Sequence, residues 1–120
     1  MDKKIKVGII GTGARGTLSF GKGLQKHPED VEITAMCDKN PLRLKGSKSI
    51  LGIDVEEFYS HETLLQKADC DTVIVTTPDF THEQITIDAL QAGKNVLCEK
   101  PMAISSVQCD RMMKAERASV

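Results

Sequence analysis

The stretch VGIIGTGARGTLS, Val7 to Ser19, decides how the rest of the chain is read. A short apolar run breaks into three glycines, Gly11, Gly13 and Gly16. Glycine-rich turns are common, so a GxGxxG pattern carries meaning only with a strand before it and a helix after it. Both are expected here. In that setting each glycine has a physical task. Gly11 permits the tight turn, Gly13 leaves the backbone open to a pyrophosphate, and Gly16 lets the helix pack closely on the strand. The start of the helix then offers free N–H groups and a partial positive charge. Arg15 either adds charge beside those phosphates or is a plain exposed side chain.

Outward from this turn, apolar runs alternate with helical patterns. Residues 5–11, 31–38, 56–60, 71–78 and 95–99 read as strands. The run DTVIVTTP is β-branched and uncharged at its centre, as in a strand buried on both faces. Residues 14–27 read as a helix weakened by Gly21 and Gly23. The next helix has Asn40 as cap, Pro41 in its first turn and Gly52 at its stop. A short helix follows Ser60. Residues 81–92 place Ile85, Ala89 and Ala92 on one face and end at Gly93. Ser105 and Gln108 form a capping-box pattern that opens a last helix. Strict β-α alternation with short connections predicts an α/β fold, a doubly wound parallel sheet of the Rossmann type.

Size and composition agree. The chain has 120 residues, 40% of them hydrophobic, with a net charge of −1. That is enough for one small core. No global field draws it to nucleic acid or to an anionic membrane. No apolar run is long enough to span a bilayer, and the first residues lack a signal-peptide pattern, so a cytoplasmic location is expected. Cys37, Cys70, Cys98 and Cys109 are widely spaced, with neither CxxC nor zinc-type spacing. They read as reduced structural thiols, and no metal site is expected.

The remaining motifs fall at the C-terminal ends of strands, where parallel sheets bind ligands. Asp38 ends the second strand, about 20 residues beyond the glycines, where an acid accepts hydrogen bonds from adenosine ribose. Its charge would repel a 2′-phosphate and favour NAD. Lys39 and Arg43 soften that repulsion and keep NADP open. Otherwise Asp38 is simply a turn residue of DKNP. In TTPDFTH (76–82), Thr76, Thr77 and Pro78 would run along a cofactor. Asp79 and Thr81 compete to cap the next helix, and His82 falls in its first turn. A surface histidine there is ordinarily unremarkable. In CEKPMA (98–103), Glu99 and Lys100 follow an apolar strand and Pro101 fixes the loop, with a peptide bond that can be cis. Lys100 can donate to a substrate oxygen or move a proton. Alone, a solvated Glu–Lys pair would be the simpler reading.

Taken together, VGIIGTGARG (7–16), CDKNPLR (37–43) and VIVTTPDFTHEQITIDALQAGKNVLCEKPMA (73–103) resemble the N-terminal domain of the Gfo/Idh/MocA family. These are the glucose–fructose oxidoreductase, inositol dehydrogenase and rhizopine-catabolism oxidoreductases. The resemblance covers nearly the whole chain. It implies that Glu99-Lys100-Pro101 is the family's EKP motif, with Lys100 as the catalytic lysine near nicotinamide and substrate oxygen. It also implies that Gly11, Thr12, Gly13, Ala14, Arg15, Gly16, Asp38, Arg43, Thr76, Thr77, Pro78, His82, Glu99 and Pro101 line the cofactor. Asp79 departs from the asparagine often found there. The family fold has a second α/β domain, which supplies most of the substrate pocket and the oligomer interface. By that comparison the 120 residues are an incomplete nucleotide-binding domain.

The activity implied is an NAD(P)-dependent oxidoreductase acting on a sugar, polyol or related hydroxy compound, with negligible turnover by these residues alone. An NAD-dependent glycosidase of the same fold is the first alternative. Net cofactor reduction separates the two. A non-catalytic dinucleotide-binding regulator is the second, and Lys100 argues against it.

Overall fold

The computed structural model describes residues 3–119. Five strands form one sheet: β1 (Ile5–Ile10), β2 (Val31–Cys37), β3 (Glu56–Phe58), β4 (Thr72–Val75) and β5 (Asn95–Cys98). All pairings are parallel, in the order β3-β2-β1-β4-β5. The chain moves outward from β1 to β3 and then returns to lay β4 on the other side of β1. The fold is therefore the expected doubly wound α/β arrangement, with its switch point between β1 and β4.

The helices are α1, wound as a π-helix over Arg15–Gly21 and as an α-helix over Lys22–Leu24, then α2 (Pro41–Leu51), α3 (His61–Lys67), α4 (His82–Gln91) and α5 (Ser106–Ala118). Two cores lie on opposite faces of the sheet. Val7, Ile9, Met36 and Ile74 pack with Leu44 and Leu51 of α2, with Phe20 and Leu24 of α1 against them. Ile10, Cys37, Val73 and Val75 pack with Leu64 of α3 and with Ile85 and Ala89 of α4 on the other face. Successive strand residues alternate between these faces. A sheet covered on both sides needs apolar side chains at nearly every central position, which is why residues 7–10 of β1 and 73–75 of β4 read as unbroken runs.

Caps follow the sequence. Asn40 accepts from the amides of Leu42 and Arg43, Ser60 from Thr63 and Ser105 from Gln108. Several boundaries differ from expectation; β3, for one, ends at Phe58 rather than at residue 60. The first helix ends at Leu24, because Gly23 and Pro28 flank tight turns in which Lys26 donates to Gly23 and His27 to Leu24. β4 stops at Val75, because the Thr76 hydroxyl turns back onto the Gly11 carbonyl at 2.7 Å and Pro78 has no N–H to extend the ladder. Neither Asp79 nor Thr81 caps α4 through its side chain. A single 3-10 turn, Asp79–Thr81, leads in instead, and the Thr81 hydroxyl donates to the Pro78 carbonyl at 2.6 Å.

Candidate functional site

The glycine turn joins β1 to α1 at the switch point. Gly11 has φ +100°, and a Cβ there would lie 2.8 Å from the Thr76 carbonyl carbon. A Cβ on Gly16 would lie 2.0 Å from the Gly11 carbonyl oxygen. Neither position admits a side chain. Gly13 is the opposite case: a Cβ there would meet nothing within 4 Å. The turn is held shut around Gly11 and Gly16 and left open at Gly13, as a backbone that receives a pyrophosphate must be. The Thr17 amide donates back to the Gly13 carbonyl at 2.9 Å, and the amides before it in α1 have no earlier turn to donate to.

Asp38 closes one side of this turn. It is 8% exposed, and its Oδ2 accepts from the Thr12 amide at 2.9 Å and the Thr12 hydroxyl at 2.8 Å. Oδ1 accepts from the Asn40 amide at 2.9 Å, and the Arg43 guanidinium stands 3.8 Å from Oδ2. Burial works to raise the Asp38 pKa. The Asn40 and Thr12 donors and the Arg43 charge outweigh it and hold the carboxyl below its ordinary value. The Thr17 hydroxyl donates to the Thr12 carbonyl at 2.9 Å and pairs with Ser47 at 2.6 Å, tying turn, α1 and α2 together.

A cleft of about 1020 Å³ opens over the β2 and β3 side of the switch point. Of the residues singled out from sequence, Gly11, Gly13, Asp38, Lys39, Arg43, Thr76, Thr77 and Thr81 are among those that line it. Sequence reading missed several others, chiefly Tyr59, His61, Phe80 and Gln84. Their signal was position: Tyr59 and His61 follow β3, and Phe80 and Gln84 lie in the turn and helix that follow β4. Exposure adds a second one. Tyr59 and Phe80 are 53% and 69% exposed in a chain with only four aromatic residues.

The other residues expected to line the cofactor do not line this cleft. Thr12 is buried against Asp38. On the β4 and β5 side, Arg15 reaches across from the glycine turn to Glu99, with Nε 2.7 Å and a terminal nitrogen 2.5 Å from Oε2. Glu99 Oε1 accepts from the Lys100 amide at 2.8 Å. That amide, and then the arginine, hold the Glu99 carboxyl below its ordinary value. Lys100 does not pair with Glu99 through its side chain. It is exposed, and its ammonium makes no hydrogen bond or ion pair among the described residues. The Lys100–Pro101 peptide bond is cis. His82 is 1% exposed and bonded to backbone on both sides, so it is not the surface residue that its place in a first helical turn suggests.

The four thiols are free. Burial pushes the Cys37 thiol up to about 12, with the Asp38 charge adding to the shift. Among the described residues no helix is long and apolar enough to cross a membrane.

Residues 5–119 match the oxidoreductase family with an NAD-binding Rossmann fold, GFO_IDH_MocA. The chain belongs to this family. Inositol 2-dehydrogenase from Klebsiella pneumoniae is 33% identical over 93% of the chain. The WlbA dehydrogenase from Bordetella pertussis, solved in complex with NADH and UDP-GlcNAcA, superimposes with a TM-score of 0.90 at 29% identity over 97% of the chain. Scyllo-inositol dehydrogenase from Lactobacillus casei, solved with NAD(H) and scyllo-inositol, gives 0.88 at 28% identity over 97%. The chain spans 33% of the first of these relatives and 34% of each of the other two. The expected Gfo/Idh/MocA membership, Rossmann-type fold and NAD-binding character therefore hold.

Proposed function

We propose that this chain is the dinucleotide-binding part of an NAD-dependent dehydrogenase of a sugar or polyol. The observation that carries the binding role is the glycine turn. Its backbone is packed beyond any side chain at Gly11 and Gly16 and open at Gly13, beside the buried Asp38 carboxylate. In this reading Gly13 and the first amides of α1 receive the pyrophosphate. Asp38 accepts from the adenosine ribose, and its charge disfavours a 2′-phosphate. Tyr59 and Phe80 flank the adenosine end. Thr77, Pro78, Glu99 and Pro101 frame the nicotinamide side.

Exchange of a hydride with a substrate carbon is the chemistry that nicotinamide supplies when bound. The chain's own contribution there is Lys100. An exposed ammonium with no partner among the described residues is free to hydrogen-bond a substrate oxygen and to take up or release its proton. The sugar and inositol dehydrogenases among the relatives support that substrate class.

Calorimetric titration of the chain with NAD⁺ and, separately, NADP⁺ tests the binding role. Saturable binding with NAD⁺ the tighter is expected. A folded protein that binds neither overturns it. Tighter binding of NADP⁺ would show that Lys39 and Arg43 outweigh Asp38.

A further inference from the structure

His82 opens α4 and is buried between two loops. Its Nδ1 lies 2.8 Å from the Pro101 carbonyl oxygen, and its Nε2 lies 2.8 Å from the Thr77 carbonyl oxygen. Carbonyl oxygens only accept. A neutral imidazole has one N–H, so it donates to one of the two and sets a lone pair against the other. Only the doubly protonated ring donates at both ends. Its two charge-assisted bonds then offset part of the cost of burying the charge.

The charged groups on the elements that pack beside His82 are engaged elsewhere. On α4, Glu83 pairs with Arg111 of α5, and Asp88 pairs with His61 of α3. On the β5 side, Glu99 holds Arg15 and the Lys100 amide, and the Cys98 thiol faces the carbonyls of Glu99 and Met102. Asp79 and Lys100 are exposed. Among the described residues, no carboxylate, thiol or ammonium bonds the ring.

The two carbonyls belong to separate segments. Thr77 lies in the turn after β4, and Pro101 follows Lys100 directly. We propose that His82 is a proton-dependent positioning residue for Lys100. Doubly protonated, it ties the Lys100–Pro101 loop to the Thr77 turn, and loss of one ring proton to solvent releases one of the two attachments. The value of this device for catalysis rests on the role given above to Lys100, but the clamp is testable with no cofactor present.

The test is a pH titration of the ¹⁵N-labelled chain by NMR. It follows both ring nitrogens of His82 and the backbone amides of Thr77, Lys100 and Met102. His27, exposed on a turn, is the internal control. Two protonated nitrogens are expected at the acid end. As the ring loses a proton, the Lys100 and Met102 amides are expected to shift with the same midpoint. The His82→Gln chain has no titrating group there, and its amides are expected to lose that transition. A ring that loses its proton without moving the amides overturns the proposal. So does a neutral ring that keeps both attachments throughout. If His82→Gln fails to fold, the wild-type titration alone decides. A chain that shows the coupled transition but binds no NAD⁺ keeps the clamp and loses the dehydrogenase reading; the reverse result does the opposite.

Discussion

Thr12 gives both its amide and its hydroxyl to a single oxygen of Asp38, at 2.9 and 2.8 Å. The other Asp38 oxygen takes the Asn40 amide at 2.9 Å. One carboxylate thus fixes the glycine turn, the end of β2 and the start of α2. Asparagine cannot replace it, because its NH₂ would face one of these donors. Asp38→Asn is expected to destabilise the chain by about 1–3 kcal/mol at neutral pH, read by urea unfolding. It is also expected to weaken NAD⁺ binding.

The same carboxylate gives a pH dependence with a defined sign. Its pKa is lower folded than unfolded. Its stabilisation is therefore complete above the unfolded value, near 3.9, and is lost as pH falls through the folded value. Acid unfolding followed by circular dichroism should steepen below about pH 4 in the wild type. The Asp38→Asn chain should lack that increment.

Two glycines separate folding from binding. Gly16→Ala drives a Cβ against the Gly11 carbonyl oxygen, 2.0 Å away, with the Thr76 hydroxyl oxygen also only 2.8 Å from it. A loss of at least about 3 kcal/mol, or failure to fold, is expected. Gly13→Ala meets open space. Its melting temperature should stay close to wild type while NAD⁺ affinity falls at least about ten-fold, because the methyl occupies the path of the phosphates. Equal loss of stability in both would contradict this division.

Arg15 and Glu99 join the glycine turn to the end of β5, on the side proposed for the nicotinamide. The Arg15 side chain is 59% exposed, so its end of the pair is solvated and the pair adds little to stability, although the Glu99 side chain is only 16% exposed. Arg15→Ala should therefore leave the melting temperature nearly unchanged. Because the pair lies outside the cleft proposed for adenosine, NAD⁺ affinity should fall about three- to ten-fold and ADP affinity should not. Parallel calorimetric titrations with the two ligands check this.

The thiols differ in burial. Cys37 and Cys70 are 3% and 6% exposed, and burial raises both. Brief maleimide labelling followed by peptide mapping should mark Cys109 and spare Cys37 and Cys70 until the chain is unfolded.

What was legible in the sequence is what depends on local pattern. The alternation of apolar runs with capped helices gave all five strands, and Asn40, Ser60 and Ser105 cap where their spacing places them. Tertiary pairing was not legible. Nothing near Arg15 names Glu99, 84 positions on, and nothing near His82 says that the loop at Pro101 folds over it. Tyr59 and Phe80 follow short strands and look like ordinary loop residues until the sheet brings those strand ends together over one cleft. The π-helical start of α1 also has no local signature, since Gly16, Thr17 and Gly21 are buried against other parts of the fold.

Because every strand runs in one direction, the sheet has two unlike ends. The ends that carry the site hold the glycine turn, Asp38, Thr77 and Lys100. At the opposite ends lie the turns around His27–Asp30, Gly52–Val55, Asp69–Asp71 and Gly93–Lys94, and none of the candidate site residues is there. Tolerance to change should run as a gradient along each strand. In a saturation library sorted once for folding and once for ligand capture, the two maps should agree at one pole and part company at the other. That far pole is the natural place for a tag, a label or an immobilising link.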